Sequence, residues 1–90
     1  MSRRELVLSA APEEIVRHAA RALKRLGARV TRYDAGEGTL EARAGRRLLP
    51  ETVRLCARPE GDATRVVIDT EGRDWRALVR QLAVELEALE

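Results

Sequence analysis

The sequence predicts an α+β domain, a two-layer sandwich with the element order β-α-β-β-β-β-α, in which two helices cover one face of a mainly antiparallel sheet. Three observations carry this. Five stretches alternate apolar and polar residues with a period of two. Two longer stretches repeat apolar residues at spacings of three and four. The segments between the last four strands are short and hold glycine or proline, which suits the tight turns of a meander.

Residues 4–10 set Leu6, Leu8 and Ala10 against Glu5, Val7 and Ser9, the pattern of a half-buried strand. Pro12 follows, and proline is tolerated at a first helical position because the N–H it lacks has no partner there. Glu13 and Glu14 suit the positive end of the helix dipole. Ile15, Ala19, Ala22, Leu23 and Leu26 form one apolar stripe. Lys24 and Arg25 fall in the last turn, and Gly27 supplies a left-handed stop. Ala28 and Val30 alternate with Arg29, Thr31 and Tyr33 in a second strand, and Asp34–Gly38 is a hairpin turn. Leu40, Ala42 and Ala44 mark a third strand, with residues 45–50 expected as a loop. Val53, Leu55 and Ala57 mark a fourth, residues 59–62 a turn, and Val66 and Ile68 a fifth. Asp74 is placed to cap a final helix whose stripe is Trp75, Leu78, Val79, Leu82, Leu86 and Leu89. The first strand joins the meander through a helix, which either makes the sheet mixed or adds an edge to it.

A length of 90 residues allows a single domain spanning 1–90, with a thin stability margin. One cysteine, Cys56, cannot form an internal disulfide, so the fold rests on its core. That core is aliphatic: Phe is absent and there is one Trp and one Tyr. No stretch approaches a membrane span or a signal peptide, so the expected location is the cytoplasm. The absence of Asn and the scarcity of Gln, Met and Cys suit a thermophile, and the preference for Arg suits GC-rich coding. Charged residues make up 36% of the chain, yet the 17 basic and 15 acidic groups leave a net charge of only +2. Charge this evenly interleaved is by itself weak support for a nucleic-acid partner.

The strand residues left on the polar side are Arg3, Glu5 and Val7; Arg29, Thr31 and Tyr33; Thr39, Glu41 and Arg43; Thr52, Arg54, Cys56 and Arg58; and Arg65, Val67 and Asp69. Within this face the candidate binding residues are Arg29, Tyr33, Arg43, Arg54, Arg58 and Arg65. Three readings of the face stand open. It is a solvated surface held by Arg–carboxylate ladders. It is a self-association surface centred on Val7, Tyr33, Cys56 and Val67 with Arg at its rim. Or it is a phosphate platform, against which the shortage of aromatic residues counts.

Other candidate chemistry is sparse. Glu14 and His18 are four apart on the first helix and supply half a metal site, but a closed zinc site needs four ligands. Cys56 has no base in its sequence pattern, and a nucleophile needs one. No paired carboxylates and no phosphate-cradling glycine loop are evident. No metal or cofactor is expected. Leu48 and Leu49 place two large apolar side chains in a loop, which either dock on a partner or close one end of the sandwich.

The β-α-β4-α order resembles one repeat of the TATA-box-binding protein fold, of which START-like domains are elaborations. The segments Gly38–Arg43, Val53–Leu55 and Thr64–Asp69 also resemble strands of small bacterial domains with this layout. The resemblance implies the sandwich fold. It does not extend to DNA kinking, which uses Phe wedges this chain lacks. The leading functional expectation is a non-catalytic association domain that forms a homodimer. The alternatives are nucleic-acid binding through the Arg-rich sheet face, and carriage of a small apolar ligand between sheet and C-terminal helix.

Overall fold

A computed structural model of the protein describes residues 3–46, 49–72 and 78–89. It contains β1 (Arg3–Leu8), α1 (Pro12–Arg25), β2 (Arg29–Asp34), β3 (Thr39–Arg46), β4 (Leu49–Glu60), β5 (Ala63–Glu71) and α2 (Leu78–Glu87). The element order is the expected one. The strands form one sheet in the order β1-β5-β4-β3-β2, and every pairing is antiparallel. β1 therefore adds an edge beside β5, and β2 is the other edge. Arg47, Leu48, Asp74, Trp75 and Glu90, and with them the expected cap and the aromatic head of the last stripe, lie outside the described residues.

One aliphatic core joins the layers. Leu40, Ala42, Val53, Leu55, Ala57, Val66 and Ile68 are buried on the sheet side, and Ile15, Val16, Ala19, Ala22, Leu23, Leu78, Leu82 and Leu86 on the helix side. Burying one such Leu, Ile or Val side chain contributes about 1.5–3 kcal/mol. The buried stripe of α1 is wider than its spacing suggests, because Val16 is also buried. The added width reflects two neighbours, since α1 packs on both the sheet and α2. Glu85 fastens the helices together: its carbonyl accepts a hydrogen bond from His18 Nε2 at 3.1 Å, and its carboxylate pairs with Arg25 at 2.9 Å.

Local chemistry explains where the elements stop. At the end of α1, Gly27 has φ of 89°, and the Gly27 and Ala28 amides donate to the Lys24 and Leu23 carbonyls. This double closure satisfies carbonyls the helix leaves open. The buried Thr64 hydroxyl donates to the Ala10 carbonyl at 2.6 Å, tying the link between β1 and α1 to β5. The expected loop at 45–50 is instead the end of a hairpin. Gly45 pairs with Pro50 and Arg46 with Leu49, so the β3–β4 ladder runs on almost to the turn. Proline does not exclude this, because β4 at Pro50 extends beyond the end of β5. At Pro59 the reverse holds: β5 is alongside, and β3 has already ended. Each proline sits where the strand has one neighbour, and its missing N–H breaks no ladder.

The β2–β3 turn is pinned from two directions. Asp34 Oδ1 accepts the Glu37 amide at 3.0 Å, and the Gly38 carbonyl accepts the Ala57 amide at 2.7 Å. Gly38 has φ of 73°, and a Cβ there would collide with the Ala57 carbonyl oxygen. Gly61, in the β4–β5 turn, has φ of 63° but open space around it. Gly61→Ala should therefore cost only the conformational penalty, about 1–2 kcal/mol. Gly38→Ala should cost clearly more, because β4 must also move. Urea midpoints of the two variants test this, and equal losses would show that the contact with β4 is not restrictive.

Candidate functional site

Register fixes which side chains share the open face of the sheet, because residues directly opposite across two strands point the same way. One lateral row crosses all five strands: Arg3, Asp69, Arg54, Glu41, Arg32. Its charges alternate without a break. The adjoining row reads Glu5, Val67, Cys56, Thr39, Asp34, with an uncharged centre and a carboxylate at each end. A shallow groove of about 640 Å³ lies over this centre, and Arg32, Asp34, Thr39, Glu41, Arg54, Cys56, Val67 and Asp69 line it, with Tyr33, Leu40 and Leu55 also on its border.

The ion pairs follow the rows. Arg54 bridges Glu41 at 3.5 Å and Glu71 at 3.1 Å, and Arg65 bridges Glu5 at 3.2 Å and Glu60 at 3.1 Å. Both guanidinium groups are held above their ordinary pKa. For Arg54 the charge of Glu71 is the main cause, followed by Glu41. For Arg65 the hydrogen bond to Glu60 and the charge of Glu60 come first, with the hydrogen bond that Arg65 donates to Glu5 next. The centre of the face is thus mutually neutralised.

Tyr33 is not where strand alternation puts it. β2 carries a bulge between Val30 and Arg32, so Thr31 is an extra residue. Before the bulge, Arg29 faces Arg43 on the open side. After it, Arg32 faces Glu41, and Tyr33 faces the buried Leu40. Each residue beyond Thr31 is turned to the opposite side from that of an unbroken strand. Arg32 and Asp34 therefore join the open face, and Tyr33 moves to the α1 side at the sheet's edge.

There Tyr33 borders a second groove, of about 470 Å³, between α1 and β2. Its other lining residues are Arg17, Ala20, Arg21, Lys24 and Val30. Arg17, Arg21 and Lys24 stand at spacings of four and three, one face of the helix, rising about 6 and 10 Å along its axis. Together with Arg29, Arg32 and Arg43 on the other side, six cations surround the β2 edge. Among the described residues none of the six makes an ion pair. Of the nearby carboxylates, Asp34 accepts the Glu37 amide, Glu41 is engaged by Arg54, and Glu13 and Glu14 stand one turn before Arg17 on α1.

The structure thus divides the candidate residues identified in the sequence. Arg54 and Arg65 are built into ion pairs. Arg58 lies opposite Arg65, Arg29 lies opposite Arg43, and Tyr33 is across the sheet from the rest. Arg17, Arg21, Lys24 and Arg32 were not among those candidates. The helical spacing of the first three was a legible signal, whereas the bulge that turns Arg32 was not. His18 meets a carbonyl of α2, and no grouping of three or more His, Cys, Asp or Glu able to hold a metal occurs among the described residues. No described helix is long and apolar enough to cross a membrane. Among the described residues the buried polar side chains are Glu51, Thr64 and Thr70, all on the helix-covered face.

A five-stranded antiparallel sheet with two helices on one face is a recurrent α+β architecture. Among solved structures the chain is similar to the di-domain ARO/CYC StfQ from the steffimycin biosynthetic pathway, with a TM-score of 0.63 and 11% identity. The match covers 98% of this chain and 43% of StfQ, so the chain spans less than half of that protein. It is also similar to DR_A0006 from Deinococcus radiodurans (TM-score 0.60, 15% identity, 97% of this chain and 92% of that one). TTHA0849 from Thermus thermophilus has a TM-score of 0.50 and 16% identity over 98% and 97% of the two chains. At these identities the likeness is one of fold. No family model matches the chain, and no curated protein matches it in sequence.

The bulge makes a specific prediction. Deleting Thr31 should close it while leaving Arg32 opposite Glu41 and Tyr33 opposite Leu40. The variant should fold, within about 1 kcal/mol of the parent, and its β2 amides should exchange no faster. An unfolded product would mean that β2 depends on the extra residue.

Proposed function

We propose that this domain is a non-catalytic binding module that engages an anionic macromolecule along its β2 edge. The observation carrying this is the gathering of Arg17, Arg21, Lys24, Arg29, Arg32 and Arg43 about one edge strand without carboxylate partners, while Arg54 and Arg65 are neutralised by theirs. Uncompensated like charge opposes folding and is relieved by a bound anion. The reading keeps the nucleic-acid alternative and moves its surface from the sheet face to the edge.

Two other readings have less behind them. Self-association through the sheet face asks for an apolar centre. The exposed large apolar side chains among the described residues are Val7 (57%), Tyr33 (47%) and Val84 (63%), and they lie on β1, at the β2 edge and on α2. A homodimer assembled on one patch finds little support in residues spread over three elements. A carrier of apolar ligands, or the chemistry of an ARO/CYC, asks for space between sheet and α2. Val66, Ile68, Leu78, Leu82 and Leu86 are nearly or wholly buried at that junction.

Salt elution from a heparin column tests the proposal. A triple variant with Arg17, Arg21 and Lys24 changed to Glu should elute at much lower salt than the parent. A control with the same charge change at Arg3, Arg58 and Arg80 should elute between them. If the two variants shift equally, net charge and not the β2 edge governs binding, and the proposal fails. Light scattering on the same samples reports whether the chain is a monomer or a dimer.

A further inference from the structure

Building on the anion-binding reading, we infer that the partner at the β2 edge is single-stranded nucleic acid. Its phosphates are met by cations on both sides of the strand, and a base stacks on Tyr33.

The arrangement of charge favours phosphodiester over a peptide. Arg29 and Arg43 face each other directly, and like charges in that position are unfavourable. A phosphate between them converts the repulsion into a shared contact, because guanidinium groups engage phosphate in a bidentate manner. On the α1 side, Arg17, Arg21 and Lys24 form a second line along the same edge. Five of these six cations are Arg, the residue that both pairs with phosphate and stacks on bases.

An acidic peptide would bind such an edge most strongly by adding a strand to the sheet. The bulge between Val30 and Arg32 interrupts the backbone ladder that an added strand needs. Charged side chains on a bulged edge are also the features that keep edge strands from pairing. Attraction is therefore left to side chains, which suits a flexible polyanion.

The choice between single strand and duplex rests on Tyr33. It is about half exposed, at the rim of the α1–β2 groove, among cations on both sides. Stacking on an aromatic ring needs an unpaired base. The groove beside it is a cleft of about 470 Å³ between α1 and β2.

The test is fluorescence anisotropy with a labelled oligothymidylate of about 12 nucleotides, a matched duplex, and poly-L-glutamate as competitor. With six contacts, log affinity should fall with log salt at a slope of about −4. Changing Arg17, Arg21 and Lys24 to Ala should reduce that slope by about 2. Tyr33→Ala should weaken the single strand about tenfold, Tyr33→Phe should restore it, and neither should change heparin retention. Duplex binding as tight as single-strand binding would overturn the inference. So would poly-L-glutamate displacing the oligomer at equal charge with Tyr33→Ala silent, and the anion-binding reading would then survive. Failure to bind both heparin and the oligomer overturns both.

Discussion

A sheet covered on one side only has no freedom of register. Sliding a strand by one residue would carry its whole apolar set into water, and a chain of 90 residues buries too little surface to absorb that loss. Leu40, Ala42, Val53, Leu55, Ala57, Val66 and Ile68 are all buried on the helix side. Once they are fixed, the opposite face is determined. Arg3, Asp69, Arg54, Glu41 and Arg32 line up across five strands because their chain neighbours point inward. The same constraint requires the β2–β3 turn to lie close on β4, where only glycine fits at position 38.

How much of this was legible depended on whether a feature was periodic. The alternation in β3, β4 and β5 fixes both faces, so Arg43, Arg54, Arg58 and Arg65 could be placed from sequence alone. The Gly27 stop and the stripe of α1 were equally readable, except for Val16, whose burial needs α2 as a second neighbour. The hairpin at 45–50 was hidden because Pro50 suggests a loop, and only the sheet order shows that β4 lacks a second neighbour there. Tyr33 was misplaced for a different reason. A single extra residue in an edge strand leaves the composition and the apolar pattern intact, yet turns every later side chain over. The groove between α1 and β2 combines a helix face with a strand edge, and no single element's pattern reveals it.

The charge distribution follows from the same geometry. Within the sheet Arg54 and Arg65 find two carboxylates each, whereas Arg43 and Arg58 lie opposite Arg29 and Arg65 and make no ion pair among the described residues. At the β2 edge a residue has a neighbour on one side only. Arg29 faces another Arg, and the one carboxylate facing Arg32, Glu41, is already engaged by Arg54. Around β2 this leaves positive charge over, and α1 adds three more cations beside it.

Protection and binding are compatible roles for this edge. A bulge and a crowd of cations keep another strand from pairing with β2, and the crowding is strongest against a second copy, which brings the same cations. The features that exclude a like-charged strand make the edge attractive to a flexible polyanion, since electrostatic attraction needs no continuous backbone ladder. A net charge of +2 conceals this, because it averages the paired Arg54 and Arg65 clusters with the unpaired cations around β2. The relevant quantity is local: six cations around a six-residue strand, none of them in an ion pair among the described residues. Affinity for an anion therefore resides in the geometry of one edge, and the composition of the chain is a poor guide to it.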